Sequence, residues 1–425
     1  MGVQINKGTP GAGKITGQDG NSALVMQGVA TADIALGAVK ELRQLKDAEA
    51  LGLTKAYDAT NNVRVWYNIK EFYRMLTKLG VSGVPLWIML VDNTLDVDDA
   101  CNVTMEMMVD PEEEYAKKLI VETEGAVRLL GVVLNPDTGY TSTILDGLDA
   151  DVMAAIPKAQ ALADWAWDTD RPISVILEGR EFDGTAAAAQ DLRAITDVEA
   201  EDVLTTILQD WSYADGLDTL GKLHAAVGTV LGCAAAIRVN QHIGEVQTMN
   251  IQDVGRDAFV IPGISSHEQW KEIEADAETF KTKGYIMGEK YAGYNGVYLN
   301  EDYTCTPYIE DADGVLNVHN LNLSRARGKI KRALRNAYLP KVKSVQLIDA
   351  ATGFLTEGGV ATFNKIGDDV FLDMQRAGEI SEGKAYTNPE SDLLTPPRIL
   401  EVDWSFSPTT TVGKIQGNLN IKRTL

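Results

Sequence analysis

Apolar and polar residues alternate most cleanly at the two ends of this 425-residue chain. From Gly413 to Arg423 the odd positions are Gly413, Ile415, Gly417, Leu419, Ile421 and Arg423. The even positions, Lys414, Gln416, Asn418, Asn420 and Lys422, are all polar. A period of two predicts a strand with one buried face. Arg398 to Ser407 repeats the pattern, with Leu400, Val402, Trp404 and Phe406 on one side. Val3, Gln4, Ile5 and Asn6 alternate too, then give way to a Gly-rich stretch from Gly8 to Gly20. Strands at both ends admit two readings. They close the chain's own sheet at its edges, or they are donated to neighbouring chains and complete sheets there. Donation needs a flexible lead, and the stretch from Gly8 to Gly20 supplies one.

Between the ends, strand-like and helix-like patterns take turns. Ser22 to Gly28, Leu86 to Val91, Leu129 to Leu134, Ile173 to Leu177 and Val203 to Leu208 predict strands. Ala38 to Leu51, Asp151 to Trp167 and the Gly/Ala-rich Thr219 to Ile237 predict helices. This order predicts an α/β domain with a largely parallel or mixed sheet. The character shifts near Gly263. A polar helix (His267 to Phe280) comes next, then aromatic-rich strands around Tyr285 to Tyr303 and a basic helix from about Leu323 to Tyr338. A further helix carries Phe363, Ile366, Val370 and Met374 on one face and stops at Gly378. The expected organisation is therefore an N-terminal arm (1–20), an α/β domain (21–262), an α+β domain (263–408) and a C-terminal arm strand (409–425).

Charge narrows the partners. With 61 acidic and 39 basic residues the formal net charge is -22, which repels phosphate backbones and argues against nucleic acid. It also keeps subunits soluble before they assemble. Cys101, Cys233 and Cys305 stand far apart and predict reduced, buried thiols made in a cytoplasm. The longest apolar run, Ala225 to Ile237, is shorter than the roughly 20 residues that cross a bilayer, so no membrane insertion is expected. The first residues show no signal-peptide pattern.

Chemistry finds little foothold. Gly8-Thr9-Pro10-Gly11-Ala12-Gly13-Lys14 approaches a phosphate-binding loop, but Ile15 stands where a Ser or Thr would hold magnesium. No convincing helix begins after it. Asp92, Asp96, Asp98 and Asp99 lack the glycine and distal glutamate of a calcium loop and predict a solvated loop. His224, His242, His267 and His319 have no ligand spacing, and no nucleophile elbow occurs. No catalytic residue, metal or cofactor is expected, and core packing is the reading for the Gly/Ala-rich helix.

The basic helix is the better lead. Arg325, Arg327, Lys329, Lys331, Arg332 and Arg335 fall in a stretch without one acid, and Leu323, Ala326, Ile330, Leu334 and Ala337 form its apolar face. The cations are either a solvated face or a contact with an acidic surface, on a neighbouring subunit or a coaxial partner.

The segment from Gly284 to Thr304 (GYIMGEKYAGYNGVYLNEDYT) resembles the stretch that opens the C-terminal domain of contractile tail sheath proteins. As in that family, a helix (Ser324 to Tyr338) leads into Leu339-Pro340-Lys341-Val342. A turn (Asp349 to Gly353), a helix (Ala361 to Ala377) and two closing strands follow. Gly11 to Lys14 and Val25 to Gly28 resemble the family's N-terminal arm and first strand. The likeness covers both ends and the last third of the chain, and it looks closest to sheaths of phages and phage-like injection systems from Bacteroidetes-type hosts. It implies a multi-domain sheath fold with extended strand arms carrying Val3, Ile5, Ile415, Leu419 and Ile421. It implies a homopolymer of stacked hexameric rings around an inner tube protein, with baseplate and terminator partners. Assembly would occur in a bacterial cytoplasm, and the product would be a virion tail or injection particle. The alternatives from the sequence are a nucleotide-binding protein using Gly8 to Lys14 and a non-contractile baseplate or tube component.

Overall fold

The apolar runs become one sheet. In chain order its strands are β1 (Ser22–Gln27), β2 (Val39–Leu42), β3 (Leu86–Val91), β4 (Leu129–Val133), β5 (Ser174–Glu178), β6 (Val203–Thr206) and β7 (Tyr285–Ile286). Their spatial order is β7-β6-β5-β4-β1-β3-β2. Every pairing is parallel except β2 against β3 at one edge. Parallel strands are covered on both faces, which is why these runs are continuously apolar rather than alternating. The alternation is nonetheless there in space. Ala23 and Val25 of β1 pack on one side with Met89, Val132 and Val175. Leu24 and Met26 pack on the other with Ile88, Leu90 and Ile176.

Helix α3 (Ala150–Asp168) covers the first side through Val152, Ile156, Ala159 and Leu162. Helices α2 (Val65–Lys78) and α4 (Val227–Ala236) cover the second, bringing Ile69, Phe72, Met75, Val230 and Leu231. The small residues of α4 let it press against a helix as well as the sheet. A Cβ on Gly228 would stand 2.1 Å from the carbonyl oxygen of Asn68 in α2, so no side chain fits there.

The structure is a computed structural model describing residues 18–419. They fall into two compact units, 18–239 with Ile243–Ala333, and Asn240–His242 with 334–419. The compositional shift at Gly263 is not a break in the fold, because β7 lies beyond it and hydrogen-bonds to β6. The second unit holds the end of α5 (Leu321–Tyr338), α6 (Glu357–Arg376) and an antiparallel pair, β8 (Ile380–Thr387) and β9 (Val402–Pro408). The turn expected at Asp349 to Gly353 is present, with the Gly353 amide donating to the Asp349 carbonyl at 2.8 Å and Gly353 at φ +77°.

Three expectations are corrected. Ala38 to Leu51 is not one helix. Val39 to Leu42 extends to pair with β3, and the Asp47 carboxylate accepts the Arg43 and Gln44 amides, so a short α1 (Leu45–Ala50) starts only there. Thr219 to Ile237 is broken at His224 to Ala226, where the Ala225 amide turns aside to donate to the buried Glu178 carboxylate at 2.8 Å. His267 to Phe280 divides into short turns of helix at Trp270–Ile273 and Ala277–Thr282. Residues 409–419 pair with no strand among the described residues.

Candidate functional site

The six cations of α5 have definite places. Arg327 spans two acids, Nη1 at 2.6 Å from Glu201 and Nη2 at 2.7 Å from Asp202, and its guanidinium lies 5.1 Å from the Trp167 ring centre. Lys331 sits 4.2 Å over the same ring and donates to the Trp167 carbonyl. Lys329 and Arg332 converge on Asp19, each at 2.8 Å. Arg325, buried, donates to the carbonyls of Ile237 and Arg238 at 3.1 and 3.2 Å, at the C-terminal end of α4 where a cation is favoured. Arg335 is exposed.

Burial alone would raise the Asp19 carboxyl, but the hydrogen bond and charge of Lys329, with Arg332 and Arg325, hold it below the ordinary carboxylate range. Arg327, Lys329 and Arg332 thus meet acids of their own chain, and Arg325 and Lys331 meet its carbonyls. This arrangement clamps the helix to the sheet unit rather than offering a free basic strip. The partner acids lie far away in sequence, at 19, 201 and 202, and no local pattern announces them.

The second unit is built differently. Helix α6 buries Phe363, Gly367, Phe371 and Met374, while Ile366 and Val370 of the expected face are only half-buried. The buried row turns because Gly367 lets β8 come close: a Cβ there would stand 2.5 Å from the Ala385 methyl. Tyr338 donates to the Phe363 carbonyl at 2.8 Å and meets Trp404 edge-on at 5.6 Å.

The two edges of the β8–β9 pair are unequal. The Asn388 amide donates to Glu401, so the alternation of an antiparallel ladder points Tyr386 and Lys384 toward β9 and turns Ala385 and Thr387 outward. Those two outward amides are satisfied by α6: Ala385 donates to Asp368 at 2.9 Å and Thr387 to Asn364 at 2.7 Å. By the same alternation Val402, Trp404 and Phe406 turn their backbone groups to the outer edge of β9, along which no strand lies among the described residues. Their side chains share the face toward α6 but are poorly covered, with Trp404 47% exposed.

Beyond β9 the chain is tied once more, by Asn240, whose amide donates to Thr409 Oγ1 at 3.0 Å. After that Ile415 is 90% and Leu419 98% exposed. Among the described residues no sheet lies under these alternating side chains. Val3, Ile5 and Ile421, and the loop from Gly8 to Lys14, lie outside the described residues.

Burial pushes the thiols of Cys101, Cys233 and Cys305 up to about 12 and the His224 ring down to about 3, where it stacks edge-on with Tyr67 and Tyr213. The loop at Asp92 to Asp99 is exposed from Asp96 onward. Among the described residues no helix is long and apolar enough to cross a membrane.

Solved structures share this architecture end to end. The helical sheath of the anti-feeding prophage (AFP) in its contracted state superposes with a TM-score of 0.60 at 10% identity, over 99% of this chain and 98% of that one. A chain of the 6-fold symmetrised AFP baseplate gives 0.59 at 11% identity over the same shares. The PVC sheath complex of an extracellular contractile injection system, contracted, gives 0.57 at 9% identity, over 100% and 98%. The fold is that of a contractile sheath protein. The profile of DUF2586, N-terminal domain, matches residues 1–302, most of the chain, and the protein belongs to that family. Among curated proteins no sequence matches.

Proposed function

We propose that this protein is the structural subunit of a contractile sheath, and that its C-terminal arm adds a strand to a neighbour along the open edge of β9. The observation that carries the reading is the pairing of two deficits. Among the described residues the β8–β9 sheet has one uncapped edge beside half-covered Val402, Trp404 and Phe406, and the alternating 409–419 has no partner strand. A strand placed along β9 satisfies both at once, in the manner of β-augmentation. The N-terminal arm, with Val3 and Ile5, is assigned the same kind of linkage.

In this reading the subunits form stacked hexameric rings around an inner tube protein, with baseplate and terminator proteins at the ends. Contraction moves the subunits as rigid bodies while the arms keep the lattice connected. The work comes from surface buried between subunits rather than from hydrolysis, so the protein is not an enzyme. It needs no nucleic acid and inserts in no membrane; it belongs to a virion tail or injection particle assembled in a bacterial cytoplasm.

Deleting Gly413 to Leu425 tests the reading. The truncated chain is expected to stay folded and soluble but to form no wide, hollow, helically ridged tubes in negative stain, where the full chain forms them. Tubes of normal length from the truncated chain would rule out the linkage. Thin tubes or closed rings from the full chain would replace the sheath with a tube or baseplate component.

A further inference from the structure

One charged feature of the sheet unit is left unused by the arms. A groove of about 420 Å³ opens between α1 and the end of α2. Five cations line it, including Arg43, Lys46, Lys70 and Arg256, and no carboxylate does. Part of this charge is met beside the groove, where Arg43 pairs with Glu41, Lys70 with Glu71 at 3.1 Å and Arg256 with Asp253 at 3.8 Å. Its apolar part includes Leu76 and Tyr73. Tyr73 is nine-tenths buried, yet its hydroxyl has no hydrogen-bond partner among the described residues. Lys46 is exposed and makes no ion pair among them, and the Arg43 and Arg256 side chains are 59% and 51% exposed.

The matching shape is on the same chain. The loop after β3 carries Asp96, Val97, Asp98 and Asp99, and Val97 is 97% exposed. The loop is rigid. Asp96 Oδ1 accepts the Asp98 and Ala100 amides at 2.8 and 3.1 Å, and Leu95 bridges Cys101. An apolar tip flanked by carboxylates is what a groove with an apolar floor and a basic rim accepts.

The two features lie at opposite ends of one strand. Leu42 pairs with Leu86, which places Arg43 and α1 at the start of β3, whereas the acidic loop follows Val91 at its end. A subunit cannot fill its own groove across the sheet. A contact between different surfaces of identical chains is head-to-tail and propagates, closing a ring or extending a helix.

We infer that the Asp96–Asp99 loop of one subunit docks in the Arg43/Lys46/Lys70/Arg256 groove of the next. The contact rests on the proposed polymer but is separate from the C-terminal arm, which belongs to the second unit. It fixes register between sheet units through charge, so it weakens as salt rises.

The test is a pair of cysteines, Lys46→Cys with Asp98→Cys, in the full chain. The native thiols are buried, so the new pair reports alone. Oxidised polymers are expected to run as covalent ladders on a denaturing gel, and either single variant as monomer or dimer at most. Separately, Lys46→Glu should raise the concentration needed for assembly at least tenfold, and adding Asp98→Lys should restore most of it. Polymers that form normally yet give no ladder, with Lys46→Glu assembling like the parent, overturn the contact and leave the sheath reading standing. A parent chain that forms no polymer overturns both.

Discussion

The two units of this chain solve the same problem, burying apolar surface, to very different degrees. The first closes on itself. Its seven-stranded sheet has an apolar layer on each face, and no residue of either layer comes from the second unit. The cations of α5 that fall within it are paired inside the chain. The second unit sets one helix on two strands, and such a strand pair is marginal on its own. Its surface leaves Val345 94%, Leu347 77% and Ile399 60% exposed. In the proposed lattice the first unit is complete in itself and the second is completed by neighbours. A lattice subunit benefits from this division, because a rigid body can be moved while its links stay attached.

Core truncations in the two units should separate them. Phe72 is fully buried between α2 and the sheet, and Phe72→Ala is expected to cost about 3–5 kcal/mol and lower the main melting transition. Phe371→Ala, under the β8–β9 pair, removes the same ring from a smaller core. It should speed amide exchange in 357–408 while leaving exchange in β1, β3 and β4 unchanged. A single transition shifted equally by both variants would mean the units do not fold separately.

A smaller effect is expected at the clamp. Asp19→Asn leaves Lys329 and Arg332 without their carboxylate and should cost about 1–2 kcal/mol at neutral pH. The sign follows from a carboxyl held below its ordinary range in the folded state. Its contribution is complete above the unfolded value and is lost as pH falls through the folded one. The gap in stability between parent and variant should therefore close on acidification. A gap that persists in acid would mean the loss is one of packing rather than charge.

The legible parts of the fold were those carried by local pattern. β1, β3, β4, β5 and β6 each declared themselves as apolar runs, and Gly378 ended α6 as expected, at φ +73°. Helix α2 was not singled out, although Val65, Ile69, Phe72 and Leu76 give it a helical stripe. What no local pattern carries is long-range pairing. Val39 to Leu42 became a strand because β3 offered an edge, and the α5 cations turned inward because Asp19, Glu201 and Asp202 lay opposite. Of the arm residues, Ile415 and Leu419 fall among the described residues and lie exposed.

The most direct test of the central claim is amide hydrogen exchange of 410–425 and of β9, compared between free subunit and assembled polymer. The account predicts unprotected amides at 413–423 in the free subunit and strong protection in the polymer. The outward amides of Val402, Trp404 and Phe406 should become protected in the same step. Equal protection in both states, or an arm that stays unprotected in the polymer, would contradict it.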